Sequence, residues 1–328
     1  MLVLGGKKMR SILVTGGAGF IGSHLVEKLL QEKDCQVCII DNFDDFYNRD
    51  IKEKNIEPSL TNEKFHLCEG DIRDQEFVEN VFSKKNFDAV IHLAAKAGVR
   101  PSIIDPCLYQ DVNVRGTQNV FECCREYHVK KIIFASSSSV YGINNKIPFS
   151  EEDPIFQPIS PYAATKAAGE LLAHVYSHLY GMQILCLRFF TVYGPRQRPD
   201  LAIYKFTDLI MQGKEIPVFG DGSSRRDYTY IDDIINGILG ALEYDQTLYE
   251  IVNLGNSDTV YLRDLISIIA LKLGKKAVLR QLPNQPGDVP QTFADISKAK
   301  RLFHYSPKVK IKQGIESFLK WHGIYNPS

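Results

Sequence analysis

Short apolar runs alternate with longer amphipathic segments through the first half of the chain. Apolar runs of this length are typical of buried parallel strands, and apolar residues at helical spacing are typical of the helices between them. Strands are predicted at 10–15, 36–40, 64–68, 88–93, 131–135 and 184–188, and helices at 25–30, 108–127 and 161–180. The alternation predicts an α/β fold with a doubly wound parallel sheet.

The pattern changes after residue 189, where turn-forming residues interrupt shorter segments. Residues 249–254 nevertheless form one more apolar run, which is predicted to return to the first sheet as a strand. We therefore expect a first domain of residues 9–188 with 227–255. A smaller, mixed α/β lobe is expected to comprise 189–226 and 256–328, and residues 1–8 to be an N-terminal extension.

Three glycines follow the first predicted strand, at the spacing Gly16-x-x-Gly19-x-x-Gly22. The first permits a tight turn, the second lets a pyrophosphate approach the backbone, and the third lets the next helix pack on the strand. The helix N-terminus, near Phe20 and Ile21, then offers unpaired N–H groups to phosphate. The motif predicts a Rossmann-type dinucleotide site.

Residues that follow the next strands complete the predicted cofactor site. Asp41 ends the second strand, where a carboxylate accepts hydrogen bonds from the adenosine ribose and repels a 2′-phosphate; a loop cap is the alternative. NAD is therefore expected rather than NADP. Asp71 and Ile72 are expected at the edge of the adenine. The other predicted cofactor contacts near these strand ends are Asn42, Leu93, Ala94, Ala95 and Lys96.

Tyr162 and Lys166 stand four residues apart on a predicted helix with Ser160 as its N-cap, and Ser137 follows the fifth strand. A free tyrosine has a pKa of about 10. A nearby ammonium and the positive ring of an oxidised nicotinamide are expected to lower this pKa, giving a base for a sugar hydroxyl. The spacing alone occurs by chance on many helices, and the dinucleotide motif before it gives it weight.

Composition narrows the function classes. The 39 basic and 39 acidic residues of the 328-residue chain balance, so no nucleic-acid partner is indicated. No apolar run approaches the roughly 20 residues of a membrane span, and the first residues lack the order of a secretory signal. The cytoplasm is the expected compartment, without a membrane partner. Cys35 and Cys38 have redox or zinc spacing but overlap a strand, and no metal site is predicted.

Taken together, these motifs resemble the extended short-chain dehydrogenase/reductases over nearly the whole chain from Arg10. The resemblance rests on the glycine motif, Leu93-Ala94-Ala95, Asn113, the serine run before Val140-Tyr141-Gly142, and the Tyr162/Lys166 pair. Among these proteins the chain most resembles the UDP-glucuronate 4-epimerases. The segments that carry this closer likeness are 41–43, 97–100, 188–196, 216–222, 225–228 and 285–289.

The resemblance implies an NAD-dependent C4 epimerisation of a UDP-sugar. Tyr162 would remove the O4 proton, C4 would give its hydride to NAD⁺, and the hydride would return to the opposite face of the 4-keto sugar. Asn113 belongs to the implied cofactor site, and Lys166 would hold the nicotinamide ribose. Ser137 would bond O4 or relay its proton. Ser138 or Ser139 sharing that role, and an ordinary polar loop, are open alternatives.

Three positions distinguish related reactions. Dehydratases of this group carry an Asp-Glu pair where this chain has Ser138 and Ser139, and UDP-glucuronate decarboxylases typically have Glu in place of Ser139. Thr191 stands where UDP-galactose 4-epimerases usually have Asn. These hydroxyls are expected to hold a sugar carboxylate by hydrogen bonds. The alternatives are a UDP-glucose 4-epimerase, a UDP-glucuronate decarboxylase and an inactive NAD-binding scaffold.

The resemblance also implies the remaining substrate contacts. Arg226 would bind the diphosphate through its forked donors, with a solvated surface as the alternative, and Asp288 the uridine ribose. Arg100 and Arg198 would face the diphosphate or the sugar carboxylate, and the two roles stay open. The predicted set also includes Val218 and Phe219.

A homodimer is expected as well. The helix at 161–180 carries more apolar residues than one contact face needs. In the family, this helix and the one around 112–123 form a four-helix interface.

Overall fold

The computed structural model describes residues 10–32, 34–283 and 286–324. The predicted extension at residues 1–8, residue 9 at the start of the first domain, and Gln285 of the segment 285–289 lie outside the described residues.

The strands of the described chain are β1 (Arg10–Thr15), β2 (Cys35–Asp41), β3 (Phe65–Glu69), β4 (Ala89–His92), β5 (Lys131–Ser137), β6 (Gln183–Phe189), β7 (Thr191–Tyr193), β8 (Glu215–Phe219), β9 (Arg225–Arg226), β10 (Tyr228–Tyr230), β11 (Tyr249–Leu254), β12 (Val260–Tyr261) and β13 (Val278–Leu282). The helices are α1 (Phe20–Leu30), α2 (Arg49–Leu60), α3 (Gln75–Ser83), α4 (Val99–Ile104), α5 (Pro106–Gln110), α6 (Thr117–Glu126), α7 (Pro161–Tyr180), α8 (Ala202–Met211), α9 (Ile231–Glu243), α10 (Leu262–Leu273), α11 (Ser297–Phe303) and α12 (Ile311–Trp321).

Seven strands form one sheet in the order β11-β6-β5-β4-β1-β2-β3, and every neighbouring pair is parallel. The prediction of a Rossmann-type α/β fold is confirmed, including the returning strand, in which Tyr249 pairs with Ile184. The chain runs outward from β1 through β2 to β3 and then crosses back to β4 on the other side of β1, so the strand order reverses at β1. Such a switch point opens a crevice at the carboxyl ends of the strands.

The sheet is buried on both faces, which explains why its strands are continuous apolar runs. Ile12 and Val14 of β1 pack in one apolar cluster, while Leu13 packs in the other. The predicted divergence of Cys35 and Cys38 follows the same alternation, since Cys35 belongs to the first cluster and Cys38 to the second.

The predicted helix at 108–127 is present, and it contains a π-helical turn that the sequence did not predict. The helix begins at Pro106 with α5, passes through a π-helical turn at Asp111–Gly116, and continues as α6 to Glu126. Within the turn, the Asn113 side chain bonds the backbone of Lys96 through both its amide and its carbonyl group. Isolated π-helical turns often occur at functional sites, and this one brings a polar side chain to the end of β4.

Beyond β6 the structure consists of short paired strands and helices. The strand pairs are β7 with β10, β8 with β13, and β9 with β12. Of these, only the β9–β12 pair is antiparallel.

Candidate active site

A cavity of about 490 Å³ lies at the carboxyl ends of the central strands, a volume typical of small-molecule sites. Every residue predicted to bind the cofactor lines it except Asn113. The cavity is also lined by Ser137, Ser138, Ser139, Thr191 and Arg198.

The glycine motif lets the turn after β1 pack closely against the neighbouring backbone. Gly16 has φ +72°, and a Cβ there would lie 2.8 Å from the Ala94 nitrogen. A Cβ on Gly22 would lie 2.2 Å from the Gly16 oxygen, so the third glycine lets α1 pack on the turn. The N-cap of α1 is Gly19, which has no side chain to bond the first-turn N–H groups. The residues that carry these groups line the cavity, in the place that a phosphate site requires.

Asp41 ends β2 as predicted, and its carboxylate is buried. One oxygen accepts from the Ala18 N–H at 3.0 Å and the other from the Phe43 N–H at 2.9 Å. Burial raises the pKa of this carboxyl, while the Phe43 and Ala18 donors and the Lys52 charge act against that rise. Asp41 thus caps the loop after β2, as the alternative interpretation expected. It also lines the cavity.

The predicted adenine edge is held by side chains. The Asp71 carboxylate accepts from Arg73 Nη2 at 2.9 Å and from Asn42 Nδ2 at 2.8 Å. These contacts fix two predicted cofactor residues, Asn42 and Asp71, to each other. Ile72 follows directly, and a Cβ on Gly116 would lie 2.8 Å from its side chain.

Asn113 is buried and does not line the cavity. In addition to Lys96, its amide donates to Thr165 Oγ1 at 3.0 Å, and that hydroxyl donates to the Tyr162 carbonyl at 2.9 Å. Asn113 therefore connects the end of β4 to the first turn of α7. Its assignment as a cofactor contact stays a prediction.

Tyr162 and Lys166 lie in the first turns of α7, whose N-cap is Ser160 as predicted. The Lys166 ammonium is buried and donates to the Ala135 carbonyl at 2.7 Å. Ser137 hydrogen-bonds Tyr162 and contacts Ser139 Oγ at 3.1 Å. The three predicted catalytic residues therefore meet where β5 ends against α7.

The pKa of Tyr162 is raised in this structure, whereas Lys166 and the oxidised nicotinamide were expected to lower it. Burial raises the pKa of the phenol, while the Ser137 hydroxyl and the Arg198 charge act in the opposite direction. Burial also lowers the pKa of Lys166 to about 8, with Glu170 opposing the change. The cation that favours the phenolate is therefore Arg198, and Lys166 is tied to the β5 backbone.

A second cavity of about 140 Å³ adjoins the first and shares Val99, Ser138, Ser139 and Thr191 with it. Arg226 and Asp288 line its other side. Arg226 Nη1 donates to the backbone carbonyls of Arg225 and Pro290. These neutral partners leave the positive charge of Arg226 available to an anion.

Three predicted substrate residues lie outside both cavities. Arg100 forms an ion pair with Asp288 at 2.6 Å, and its guanidinium lies 4.4 Å from the centre of the Phe219 ring. Val218 precedes Phe219 on β8 and is buried. Arg100 therefore engages the carboxylate predicted to bind the uridine ribose.

Arg198 reaches the first cavity from the second half of the chain. It forms a two-pronged ion pair with Asp200, with both N–O distances 2.9 Å, and its guanidinium lies 5.4 Å from the Phe46 ring centre. Because its charge also acts on Tyr162, Arg198 lies nearer the proton-transfer end than Arg100 does.

Sequence reasoning missed the loop after Asp41. Asp44, Phe46 and Tyr47 line the first cavity, as does Lys52 of α2. Two aromatic residues among charged ones, shortly after the acid predicted to bind the ribose, were the available signal. The loop is short, because α2 begins at Arg49 with Asn48 as its N-cap.

Two further findings concern the described residues only. They contain no cluster of three or more His, Cys, Asp or Glu side chains suited to a metal ion. None of their helices has both the length and the apolar character needed to cross a membrane.

Comparison with known proteins identifies the family. The family model described as GDP-mannose 4,6 dehydratase matches residues 13–318. The chain is 42% identical over 310 residues to UDP-glucuronate 4-epimerase of Thermodesulfobacterium geofontis, covering 94% of this chain and 95% of that protein. A crystal structure of UDP-glucuronic acid 4-epimerase from Bacillus cereus, in complex with UDP-glucuronic acid and NAD, superposes with a TM-score of 0.89 at 40% identity. The superposition covers 95% of this chain and 98% of the Bacillus cereus chain.

A UDP-glucose 4-epimerase is also similar. The structure of the Thermotoga maritima enzyme with UDP-glucose has a TM-score of 0.86 at 34% identity, covering 95% of this chain and 98% of its own. The family model spans most of the chain, and these relatives exceed 30% identity over nearly all of it. The protein belongs to the extended short-chain dehydrogenase/reductase family of nucleotide-sugar epimerases and dehydratases.

Proposed function

We propose that the protein is an NAD-dependent C4 epimerase of UDP-sugars that interconverts UDP-glucuronate and UDP-galacturonate. The similarity to UDP-glucuronate 4-epimerases supports the reaction type, the isomerase class and the cofactor. The observation that carries the sugar-acid assignment is the set of neutral hydroxyls, Ser138, Ser139 and Thr191, between the two cavities.

The residues of the first cavity fit NAD. Gly16, Gly19 and Gly22 line the cavity with backbone alone, and Asp41 stands where a 2′-phosphate would be repelled. When bound there, NAD⁺ supplies a reversible hydride acceptor for the sugar. Lys166 uses one ammonium proton on the Ala135 carbonyl and keeps two for the nicotinamide ribose.

Tyr162 is proposed as the general base. As the phenolate, it takes the proton from O4 while C4 loses its hydride, and it returns the proton when the hydride reaches the opposite face. Ser137 holds O4 and donates to the phenolate. The Arg198 charge favours the phenolate over the phenol.

The hydroxyl set is proposed to control the intermediate. A 4-keto glucuronate is a β-keto acid and loses CO₂ when its carboxylate bond aligns with the carbonyl. Ser138, Ser139 and Thr191 hold the carboxylate out of that alignment by hydrogen bonds. With no carboxylic acid at Ser139, no side chain at that position protonates the carbon from which CO₂ departs.

The two parts of the chain divide the substrates in this proposal. Residues 9–188 with 227–255 hold NAD, while 189–226 and 256–328 hold the UDP group. Arg226 binds the diphosphate and Asp288 the uridine ribose, since both line the second cavity. Arg100 and Phe219 steer Asp288, and Val218 supports Phe219 from the core.

Product analysis tests the proposal. The protein is incubated separately with UDP-glucuronate, UDP-glucose and UDP-N-acetylglucosamine in the presence of NAD⁺, and products are separated by anion-exchange chromatography. UDP-galacturonate is expected as the main product, with Tyr162→Phe as the matched inactive control. Faster formation of UDP-galactose supports the UDP-glucose 4-epimerase alternative, and UDP-xylose with CO₂ supports the decarboxylase. NAD binding without turnover of any sugar supports the inactive scaffold.

We also propose a homodimer through α7. Leu171, Val175 and Leu179 are 66%, 45% and 62% exposed, respectively, whereas Tyr176 of the same helix is buried and Leu172 packs against the core. Leu171→Glu with Leu179→Glu is expected to give a monomer by sedimentation at micromolar concentration. Leu271→Glu, on the exposed face of α10, is the control that keeps the dimer. A monomeric unmodified protein would refute this assignment.

The cytoplasm is the proposed compartment. All seven cysteines are free thiols, two of them with Sγ atoms 3.6 Å apart. Thiols that persist this close together are typical of reducing compartments. Fractionation of the native host cells, with immunodetection of the protein, tests this.

A further inference from the structure

A buried ion pair lies directly behind the predicted catalytic residues. Glu170 Oε1 accepts from Arg188 Nε at 2.8 Å, and Glu170 Oε2 accepts from Arg188 Nη2 at 2.8 Å. Both side chains are 2% exposed. Removing two charges from water is costly, and a buried ion pair is weak evidence of a stabilising role. Its position is therefore the more informative property.

Glu170 also binds the strand that presents the serine run. Its Oε1 atom accepts from Ser136 Oγ at 2.5 Å. Three side chains, each one turn further along the same face of α7, thus bind three consecutive residues of β5. The contacts are Tyr162 with Ser137, Lys166 with Ala135, and Glu170 with Ser136.

The ion pair also reaches the far end of the serine run. The Arg188 guanidinium lies 4.7 Å from the Tyr141 ring centre. The Tyr141 hydroxyl donates to Asn253 Oδ1 of β11 at 2.7 Å. Ser136 precedes the catalytic serine and Tyr141 ends the 3₁₀ turn that follows it, so Arg188 and Glu170 together anchor both ends of the loop.

We propose that Glu170 and Arg188 are positioning residues of the active site, which fix the Ser137 loop against α7 and present a negative charge to the Lys166 ammonium. This inference rests on the proposed function for its effect on turnover. Its effect on Lys166 does not depend on which sugar is the substrate.

The charge on Glu170 matters because Lys166 is buried. Burial lowers the pKa of Lys166 to about 8, and the Glu170 carboxylate acts against this. The other titratable groups near Lys166 are His92 of β4, whose own pKa Lys166 lowers, and Tyr162, one turn earlier on α7. Arg188 of β6 is paired with Glu170. Neutralising Glu170 leaves burial unopposed and frees the Arg188 charge. Lys166 then loses its proton at lower pH.

The test uses two variants that remove the charge in different ways. Glu170→Gln keeps the shape of the side chain, whereas the double variant Glu170→Leu with Arg188→Met replaces the pair by apolar residues of similar volume. Replacing a buried ion pair by apolar residues often leaves the free energy of unfolding unchanged. An effect of the double variant on Lys166 is therefore due to the lost charge and not to unfolding. Glu316→Gln is the control, because its ion pairs with Lys272 and Lys320 are partly exposed and lie outside both cavities.

Two measurements distinguish positioning from mere stability. In NAD-free protein labelled with ¹³C at the lysine ε-carbon, the Lys166 signal, assigned with Lys166→Arg, is expected to titrate about one unit lower in both variants. In the UDP-sugar assay, kcat is expected to fall about tenfold at pH 7.5, with its alkaline limb at lower pH and KM within about twofold. A Lys166 titration unchanged from the unmodified protein overturns the proposal, as does an alkaline limb that does not move. If the unmodified protein turns over no sugar, the proposed function fails, and the Lys166 titration still decides this one.

Discussion

Lys96 Nζ lies 2.7 Å from Asp44 Oδ1, and this ion pair joins the loop after β2 to the end of β4 at the first cavity. The Lys96 ammonium also lies 5.7 Å from the Phe46 ring centre. The pair is partly shielded from water, so salt screens it less than an exposed pair. It therefore fastens the loop on the side where the adenosine half of NAD is expected.

Asp44→Asn is expected to speed NAD release by about two- to fivefold, because an ion pair of this exposure contributes roughly 0.5–1 kcal/mol. Displacement of bound NADH, followed by its fluorescence, measures the rate. Asp45→Asn on the same loop is the control, because Asp45 is exposed and does not line the cavity. Equal rates of NAD release from the two variants would show that the Lys96–Asp44 ion pair does not retain NAD.

Asp41→Asn is expected to narrow the preference for NAD over NADP by about tenfold or more, since a hydrogen bond to a charged group contributes about 1.5–3 kcal/mol. The variant removes the charge but keeps one acceptor for the Ala18 and Phe43 N–H groups. Calorimetric titration with each dinucleotide measures the ratio. An unchanged ratio would mean that Asp41 only organises the loop.

Tyr162→Phe is expected to lower kcat by about 10²- to 10⁴-fold, the usual contribution of a general base. The ring packs edge-on against Tyr109, with centroids 6.3 Å apart, and phenylalanine preserves that contact. NAD affinity and the thermal midpoint should therefore stay close to those of the unmodified protein. Turnover within a few-fold of the original would exclude Tyr162 as the base.

Ser139→Glu places an acid where the resembling decarboxylases have one, and it removes the hydroxyl that contacts Ser137. UDP-xylose and CO₂ are expected to rise relative to UDP-galacturonate when UDP-glucuronate is supplied. Ser139→Gln, which is similar in size but has no acid, is the control. If the two variants give the same products, the neutral character of this position does not set the outcome.

The features predicted correctly from the sequence are those that the local pattern of residues determines. β1 is an apolar run that ends at a glycine turn, and the structure gives it the predicted bounds, 10–15. The π-helical turn in 108–127 was missed because the contact made from it is distant in sequence: Asn113 bonds the Lys96 backbone, 17 residues away. Likewise, nothing in the local pattern indicates that Glu170 and Arg188, 18 residues apart, are buried together. The direction of the Tyr162 pKa shift depends on burial, which spacing does not reveal.

His92 predicts an acid sensitivity. Its Nδ1 atom lies 2.7 Å from Thr15 Oγ1 and its Nε2 atom 3.0 Å from Thr117 Oγ1. Since Thr117 donates to the Asn113 carbonyl, Nε2 carries the proton and donates to Thr117, while Nδ1 accepts from Thr15. This neutral tautomer satisfies a buried chain of hydrogen bonds. Burial, with a contribution from Lys166, lowers the pKa of His92 to about 3.

The sign of the effect follows from proton binding. Between pH 6.5 and 3 the unfolded chain binds a proton at His92 that the native protein excludes, so stability falls as the pH falls, by up to about 1.4 kcal/mol per pH unit. Urea unfolding at pH 6.5 and 4.5 should show about 2–3 kcal/mol more loss for the unmodified protein than for His92→Gln. Parallel losses in the two proteins would assign the acid sensitivity to other groups.

In the proposed reaction, the hydrogen on C4 leaves the sugar as a hydride and returns to the same carbon. UDP-glucuronate labelled with deuterium at C4 tests this most directly, with the product isolated and examined by ¹H NMR and mass spectrometry. UDP-galacturonate that keeps its deuterium at C4 is expected, formed without net accumulation of NADH. Product that has exchanged C4 with solvent hydrogen would exclude a hydride transfer through the bound coenzyme.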